Sequence, residues 1–182
     1  MTRSRTHRTV LAGLMASLIA AAAWVSIPAG EVPVTLQTLA IVLLALVLDP
    51  AAAFAAVGAY VLAGLIGLPV FAGGRAGLAV LAGPTGGFLV GFILGAAAGA
   101  WVRRLLASRM SSLAADVLAA ITVLGVVYLL GWAHIAFVLG VGPGGAFTAA
   151  VIPFVLPDAV KAIAAVSLAV AIRKTGVLGP AS

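Results

Sequence analysis

The sequence predicts an all-α integral membrane protein: a six-transmembrane-helix bundle with a glycine-rich outer loop between helices three and four, in one domain over residues 1–182. Three observations carry that expectation. Of the 182 residues, 64% are hydrophobic and only 8% charged, against roughly 45–50% and about 25% in soluble domains. The apolar residues fall into six runs separated by Pro, Gly or charge. At about 20 apolar residues per crossing, the length leaves no room for a separate soluble catalytic or nucleotide-binding domain.

The first run is Val10 to Ile27, preceded by Arg3, Arg5 and Arg8. A basic start, an apolar stretch and small residues also suit a cleaved signal peptide. Removing this run, however, would break the charge pattern described below, so it is read as a retained helix. It carries Ala12, Ala16 and Ala20 at intervals of four, with Gly13 and Ser17 beside them. Such a stripe lets another helix approach closely, although ordinary packing in an Ala-rich chain would produce it too.

The second and third runs, Leu36 to Leu48 and Ala51 to Ile66, are shorter than the usual roughly 17–25 residues. They therefore tilt, borrow flanking residues or pack partly as irregular backbone. Asp49-Pro50 marks the turn between them, since proline restricts both itself and the residue before it. The fourth run is Thr85 to Leu106, the fifth Leu113 to Leu139 and the sixth Thr148 to Ile172.

The formal net charge of +6 is read as a set of topology marks and not as a nucleic-acid footprint. With both termini cytoplasmic, eight of the ten basic residues lie inside: Arg3, Arg5, Arg8, Arg103, Arg104, Arg109, Arg173 and Lys174. Arg75 is left in an outer loop and Lys161 in the last helix. The chain is thus expected as a multi-pass protein of the cell (inner or plasma) membrane, with the bilayer as a partner. Cysteine is absent, which excludes disulfides, thiolate metal sites and cysteine nucleophiles.

Two segments interrupt the apolar pattern. "PVFAGGRAGLAVLAGPTGGF", Pro69 to Phe88, contains Phe71, Gly73, Gly74, Arg75, Gly77, Gly83, Gly86 and Gly87. This many glycines suit turns and close backbone approach. The apolar Phe71, Leu78, Val80 and Leu81 argue for a loop that dips into the bundle as a lid, against a solvated connector. Thr85, after Pro84, is expected to cap the fourth helix, or to offer its hydroxyl to a pocket. Arg75 is either solvated or recognises an anionic group through its paired donors.

The second segment is "FVLPDAVK", Phe154 to Lys161. Pro157 is expected at the first helical position, with Asp158 in the first turn and Lys161 three residues on along the same face. Either the two charges merely neutralise each other, or they form a polar ligand site, as the expense of ionisable groups in membrane helices suggests.

Glu31, Thr35, Gln37 and Thr38 occupy the first outer connection, solvated or closing one side of a pocket. Asp116 is expected to stabilise a helix start. His134 is expected to be packed or interfacial, and Tyr128 and the tryptophans to serve as packing or interface anchors, though any of these could line an apolar pocket. No Walker A, HExxH or GxSxG pattern occurs, so an enzyme, a metal site or a cofactor is not expected.

"GLPVFAGGRAGLAVLAGPTGG" and "PFVLPDAVKA", together with "VPVTLQTLA" after the first helix, resemble the BioY family, biotin-binding S components of energy-coupling-factor (ECF) transporters. The resemblance covers most of the chain, in the same order and with compatible spacing. It implies a six-helix bundle whose outer loops cover a biotin site. Energy would come from partners, a membrane coupling subunit and two cytoplasmic ATP-binding subunits, while some family members work without a dedicated module. The stripe of Ala12, Ala16 and Ala20 looks like the family's contact surface for the coupling subunit. Asp158 and Lys161 match its polar pair, and the glycine-rich loop (Phe71, Gly73, Gly74, Arg75, Gly83, Thr85, Gly86) would close over the ligand.

Biotin's ureido ring offers two N–H donors and a carbonyl acceptor. Asp158 could accept from the former; Lys161 could donate to the latter, organise Asp158, or bind the carboxylate end. Assembly as a homo-oligomer is compatible with the sequence. The competing readings are an S component for another small vitamin and a non-catalytic membrane scaffold.

Overall fold

The computed structural model describes residues 5–175, with side chains from Thr9 onward; Arg3 lies outside the described residues. In chain order, α1 (Arg5–Trp24) leads into a two-residue antiparallel hairpin, β1 (Ser26–Ile27) and β2 (Val34–Thr35). Next come α2 (Gln37–Val47), α3 (Pro50–Leu65), a 3-10 turn (Ala72–Gly74) and the short α4 (Leu78–Ala82). The chain then runs through α5 (Gly86–Leu106), α6 (Ser112–Leu139), α7 (Pro143–Ala150) and α8 (Ile152–Lys174).

Three helical runs are long and apolar enough to cross a membrane: Gly86–Leu106, Ser112–Leu139 and Pro143–Lys174. The last bends at Val151, where α7 gives way to α8. Thr9–Trp24, Gln37–Val47 and Pro50–Leu65 are shorter apolar helices. Each of the six apolar runs is thus helical over most of its length, the first giving way to β1 at Ser26–Ile27. The hairpin, α4 and α7 were not anticipated, because elements this short leave little periodicity to read.

The helix ends follow local chemistry. Asp49 caps α3, its carboxylate accepting from Ala52 N at 3.1 Å with Pro50 at the first position. Ser111 caps α6 through Ala114 N, and Gly140 ends it in the left-handed conformation at φ 62°. Pro157 departs from expectation. It lies inside α8, which begins at Ile152 with Pro153 in its first turn. Packing of Phe154 and Asp158 into the core extends the helix one turn upstream and overrides the local preference for proline at a start.

The helix α2 is the central stave. Ala40 through Leu46 are all buried, so the helix is apolar on nearly every face, as an interior helix must be. Its 11 residues span only about 17 Å, short of the roughly 30 Å hydrocarbon core.

The tightest pairing is α5 on α6. Gly87, Gly91, Gly95 and Gly99 form a stripe at intervals of four. A Cβ on Gly91 would lie 2.9 Å from Val127 Cα, and one on Gly95 3.0 Å from Val123 O. Only glycine permits that backbone approach, and in lipid such contact replaces the hydrophobic drive that water supplies elsewhere.

At one end of the bundle, Asp116 is fully buried and accepts from two arginines, Arg103 Nε at 2.8 Å and Arg173 Nη2. It does not serve the start of α6 as expected; it ties α5, α6 and α8 together, since a buried carboxylate must be paired to be tolerated. On α1, Ala12, Ala16 and Ala20 are half-buried against the core, and Gly13 and Ser17 beside them are exposed.

Candidate functional site

About fifteen residues along α8 from Arg173, or some 22 Å, the bundle holds a second buried charge cluster. Asp158 and Lys161 sit one turn apart on α8, 1% and 8% exposed. Their charged groups meet at 2.5 Å, from Lys161 Nζ to Asp158 Oδ1. The i, i+3 spacing puts both on one face, and α2, α6 and β2 bring the remaining partners.

Lys161 has three N–H donors, and the fold engages all of them. Besides Asp158, Nζ donates to the Thr35 carbonyl at 2.7 Å and to Thr38 Oγ1 at 3.1 Å. Asp158 accepts three bonds: Lys161 and Thr38 Oγ1 (2.7 Å) on Oδ1, and the Tyr128 hydroxyl (2.8 Å) on Oδ2. Two carboxylate oxygens offer about four lone-pair positions. One acceptor place therefore remains, on Oδ2.

The polar chain continues away from α8. Thr35 Oγ1 donates to Gln37 Oε1 at 3.0 Å, and Gln37 Nε2 donates to Tyr60 OH at 2.6 Å. Tyr60 meets Phe71 edge-on, ring centroids 5.7 Å apart. Phe71 fills a notch over Gly64, where any Cβ would overlap its ring. The glycine-rich loop is thereby fastened to α3, helped by Gly77 N donating to Gly64 O at 2.8 Å. The loop, the hairpin and the charge cluster are parts of one packed unit.

These groups line a cavity with about 540 Å³ of empty space, its open mouth included. Thr38, Tyr128, Asp158 and Lys161 supply its polar part. Phe88 and Phe92 of α5 and Phe154 of α8 supply much of its apolar wall, with Phe88 and Phe154 centroids 5.8 Å apart. A few convergent polar groups in an otherwise apolar cavity are the composition expected for binding a compact, largely apolar molecule with a polar end.

Of the residues expected at a site, the cavity brings together Asp158, Lys161, Phe71, Arg75 and Thr85. Arg75 stands exposed at the mouth, its Nε donating to Ala72 O at 3.2 Å. Thr85 does not cap α5. Its hydroxyl donates instead to Val80 O at 3.3 Å, because α4 packs directly beneath it. Gly73, Gly74, Gly83 and Gly86 are not among the lining residues. Gly73 and Gly74 hold left-handed turns, at φ 66° and 75°, that side chains disfavour, and Gly86 packs against Leu81 and His134. Their work is to shape the loop.

Thr35, Gln37, Thr38 and Val32 come into the cavity from the first connection, whereas Glu31 stays exposed outside it. Tyr128 is less an anchor than the pocket-lining residue the sequence also allows, and it adds a hydrogen bond to Asp158. That bond is invisible along the sequence because Asp158 lies 30 positions away. The wall of Phe88, Phe92 and Phe154 was also missed, since an aromatic in an apolar run carries no signal of its own. His134 packs as expected: Nε2 lies 3.0 Å from the Gly83 carbonyl, which can only accept, so that nitrogen carries the proton.

The BioY family model matches residues 1–176 of this chain. Among similar proteins, the biotin transporter BioY of Thermotoga maritima is 41% identical, over 92% of this chain and 96% of that protein. The probable biotin transporter BioY of Pyrococcus horikoshii is 37% identical, over 87% and 91% respectively. A solved structure of the S-component for biotin from an ECF-type ABC transporter superposes with a TM-score of 0.87, covering 96% of this chain and 94% of that one at 23% identity. That likeness establishes a shared fold.

Proposed function

This chain belongs to the BioY family, and from that premise we propose that it is a biotin-binding membrane transport subunit, working in uptake. The single observation that carries the ligand reading is the buried Asp158–Lys161 cluster facing an apolar cavity. Biotin is a compact, mostly apolar bicycle with two ureido N–H donors. Asp158 Oδ2 keeps an acceptor place for one of them. Lys161, with its donors engaged inside the protein, organises the carboxylate and does not itself meet the ligand. Arg75 at the mouth is placed to pair with the ligand's carboxylate, and Phe71 and Thr85 form part of the wall. The glycines at 73, 74, 83 and 86 act through the loop conformation that brings those residues in.

In the membrane, α1, α2, α3, α5, α6 and α8 form a six-span bundle with both termini cytoplasmic. The Asp116 end then lies inside and the cavity opens outward, with the glycine-rich segment as its outer loop. The arginines at 103, 104, 109 and 173 and Lys174 support that orientation. Capture at the outer face is followed by delivery inward, energised by a membrane coupling subunit and two ATP-binding subunits. The coupling subunit docks on α1 along Ala12, Ala16 and Ala20. That contact also takes in the exposed Gly13 and Ser17.

A thermal-protection panel tests the ligand assignment. The purified protein in detergent is melted with biotin, thiamine or riboflavin at matched concentrations. Ligand at 100 times its Kd should stabilise by about 2.7 kcal/mol, so biotin alone should raise the midpoint. Protection by a different vitamin would reassign the substrate, and protection by none would remove the ligand reading.

A further inference from the structure

Cavity and membrane-facing surface meet at one side chain. Between α6 and α8 runs an open groove with about 1000 Å³ of empty space, lined by apolar residues such as Leu113, Val117 and Ile121 on one side and Val155, Ala159 and Ile163 on the other. Ile121 and Ile163 are 60% and 68% exposed. Both helices belong to runs able to cross a membrane, so the groove faces lipid when they do. Among the described residues, Tyr128 alone lines both this groove and the ligand cavity. Its hydroxyl donates to Asp158 Oδ2.

We propose that Tyr128 is a specificity-determining wall: its ring closes the Asp158 end of the cavity against the α6–α8 groove and so limits the bulk that a ligand carries there. The inference rests on the biotin reading above. The groove residues nearest in sequence position to Asp158 and Lys161 on α8 are Ala159 and Ala162, whose side chains are too small to replace a missing ring. Tyrosine suits the position chemically. Its ring presents an apolar surface to lipid while its hydroxyl satisfies a buried carboxylate, whereas an open connection would expose the Asp158–Lys161 pair to hydrocarbon at high cost. Since Asp158 takes a ureido N–H, the limit falls on substituents at the ureido end.

The test is equilibrium binding, in detergent, of biotin and of biotin methylated on one ureido nitrogen, to the parent, Tyr128→Phe and Tyr128→Ala. The readout is the ratio of the two dissociation constants, which a loss of folded protein does not move. The parent should disfavour the methylated compound through both a lost donor and steric exclusion. Tyr128→Ala should shrink the ratio about tenfold or more by removing the second. Tyr128→Phe should keep the parent's ratio while weakening biotin itself about tenfold, through loss of a hydrogen bond to a charged acceptor.

An unchanged ratio in Tyr128→Ala overturns the wall, as does a ratio relaxed equally in Tyr128→Phe, which keeps the ring. Should Tyr128→Ala not fold, Tyr128→Leu takes its place, with a partial relaxation expected and an unchanged ratio again overturning the proposal. A folded parent that binds no biotin overturns the underlying reading and the wall with it. Parent binding with an unchanged ratio overturns the wall alone.

Discussion

Lys161 makes all its hydrogen bonds inside the protein, and this decides how the site reads a ligand. A lysine with a free N–H would compete for any anion entering the cavity. Here the ammonium is held by Asp158, Thr38 and the Thr35 carbonyl, so its charge fixes a carboxylate whose remaining acceptor place is the one proposed to take a ligand donor. Thr38 sits between the two charges, donating to Asp158 Oδ1 at 2.7 Å. Thr38→Val, which keeps the shape, should therefore weaken biotin binding about tenfold without loss of fold. Isothermal titration of the detergent-solubilised variant checks this, and unaltered affinity would show that Thr38 does not set the carboxylate. At this scale the sequence disclosed the pair itself, because two opposite charges one turn apart in an apolar helix are conspicuous. It did not disclose the bond from Tyr128, whose partner is remote, and it misplaced Pro157 and the Thr85 hydroxyl, where packing of Phe154 and α4 outweighs local preference.

Among the elements, the α5–α6 pair shows how glycine works in this fold. The stripe of Gly87, Gly91, Gly95 and Gly99 removes the Cβ on the α5 side, so that α6 backbone atoms of Leu130, Val127, Val123 and Ala119 come within 2.4–3.0 Å of where those Cβ atoms would stand. Gly91→Ala should force the helices apart and cost about 1–3 kcal/mol, the usual toll of overpacking. Gly125→Ala makes the matched control: it lies in α6 with nothing within 4 Å of an added Cβ. That change should be neutral or stabilise by up to about 1 kcal/mol through helix propensity. Thermal melts of both variants decide it, and equal destabilisation would contradict the close-approach account. The glycine-rich loop works differently, through left-handed turns at Gly73, Gly74 and Gly77 and the Phe71 notch. Composition announced a special loop. It could not say that Gly73, Gly74 and Gly77 bend the chain while Phe71, Arg75 and Thr85 line the cavity, since lining depends on side-chain direction.

For the molecule as a whole, two buried charge clusters mark the two ends of α8. The Asp158 cluster lies at the cavity end, and the Asp116–Arg103–Arg173 cluster binds α5, α6 and α8 at the other. Asp116→Ala strands two arginines and should destabilise the bundle by about 3 kcal/mol or more, while the biotin affinity of the remaining folded protein should hold, because the clusters share no partner. A parallel loss of affinity would show that the ends are coupled. Number and order of the apolar runs were legible in the sequence, since hydropathy is a one-dimensional signal. The closeness of α5 to α6, and the openness between α6 and α8, were not, because they depend on which face each helix turns.

Capture of biotin through the Asp158–Lys161 cluster is the proposed work of this bundle. Its most direct test is equilibrium binding of biotin to the purified chain in detergent, beside Asp158→Ala and Lys161→Ala confirmed as folded. Saturable, tight binding by the parent is expected, with losses on the order of 100-fold in both variants from removing one member of a buried charge pair. A folded parent that does not bind biotin, or an Asp158→Ala variant that binds it as the parent does, would contradict it.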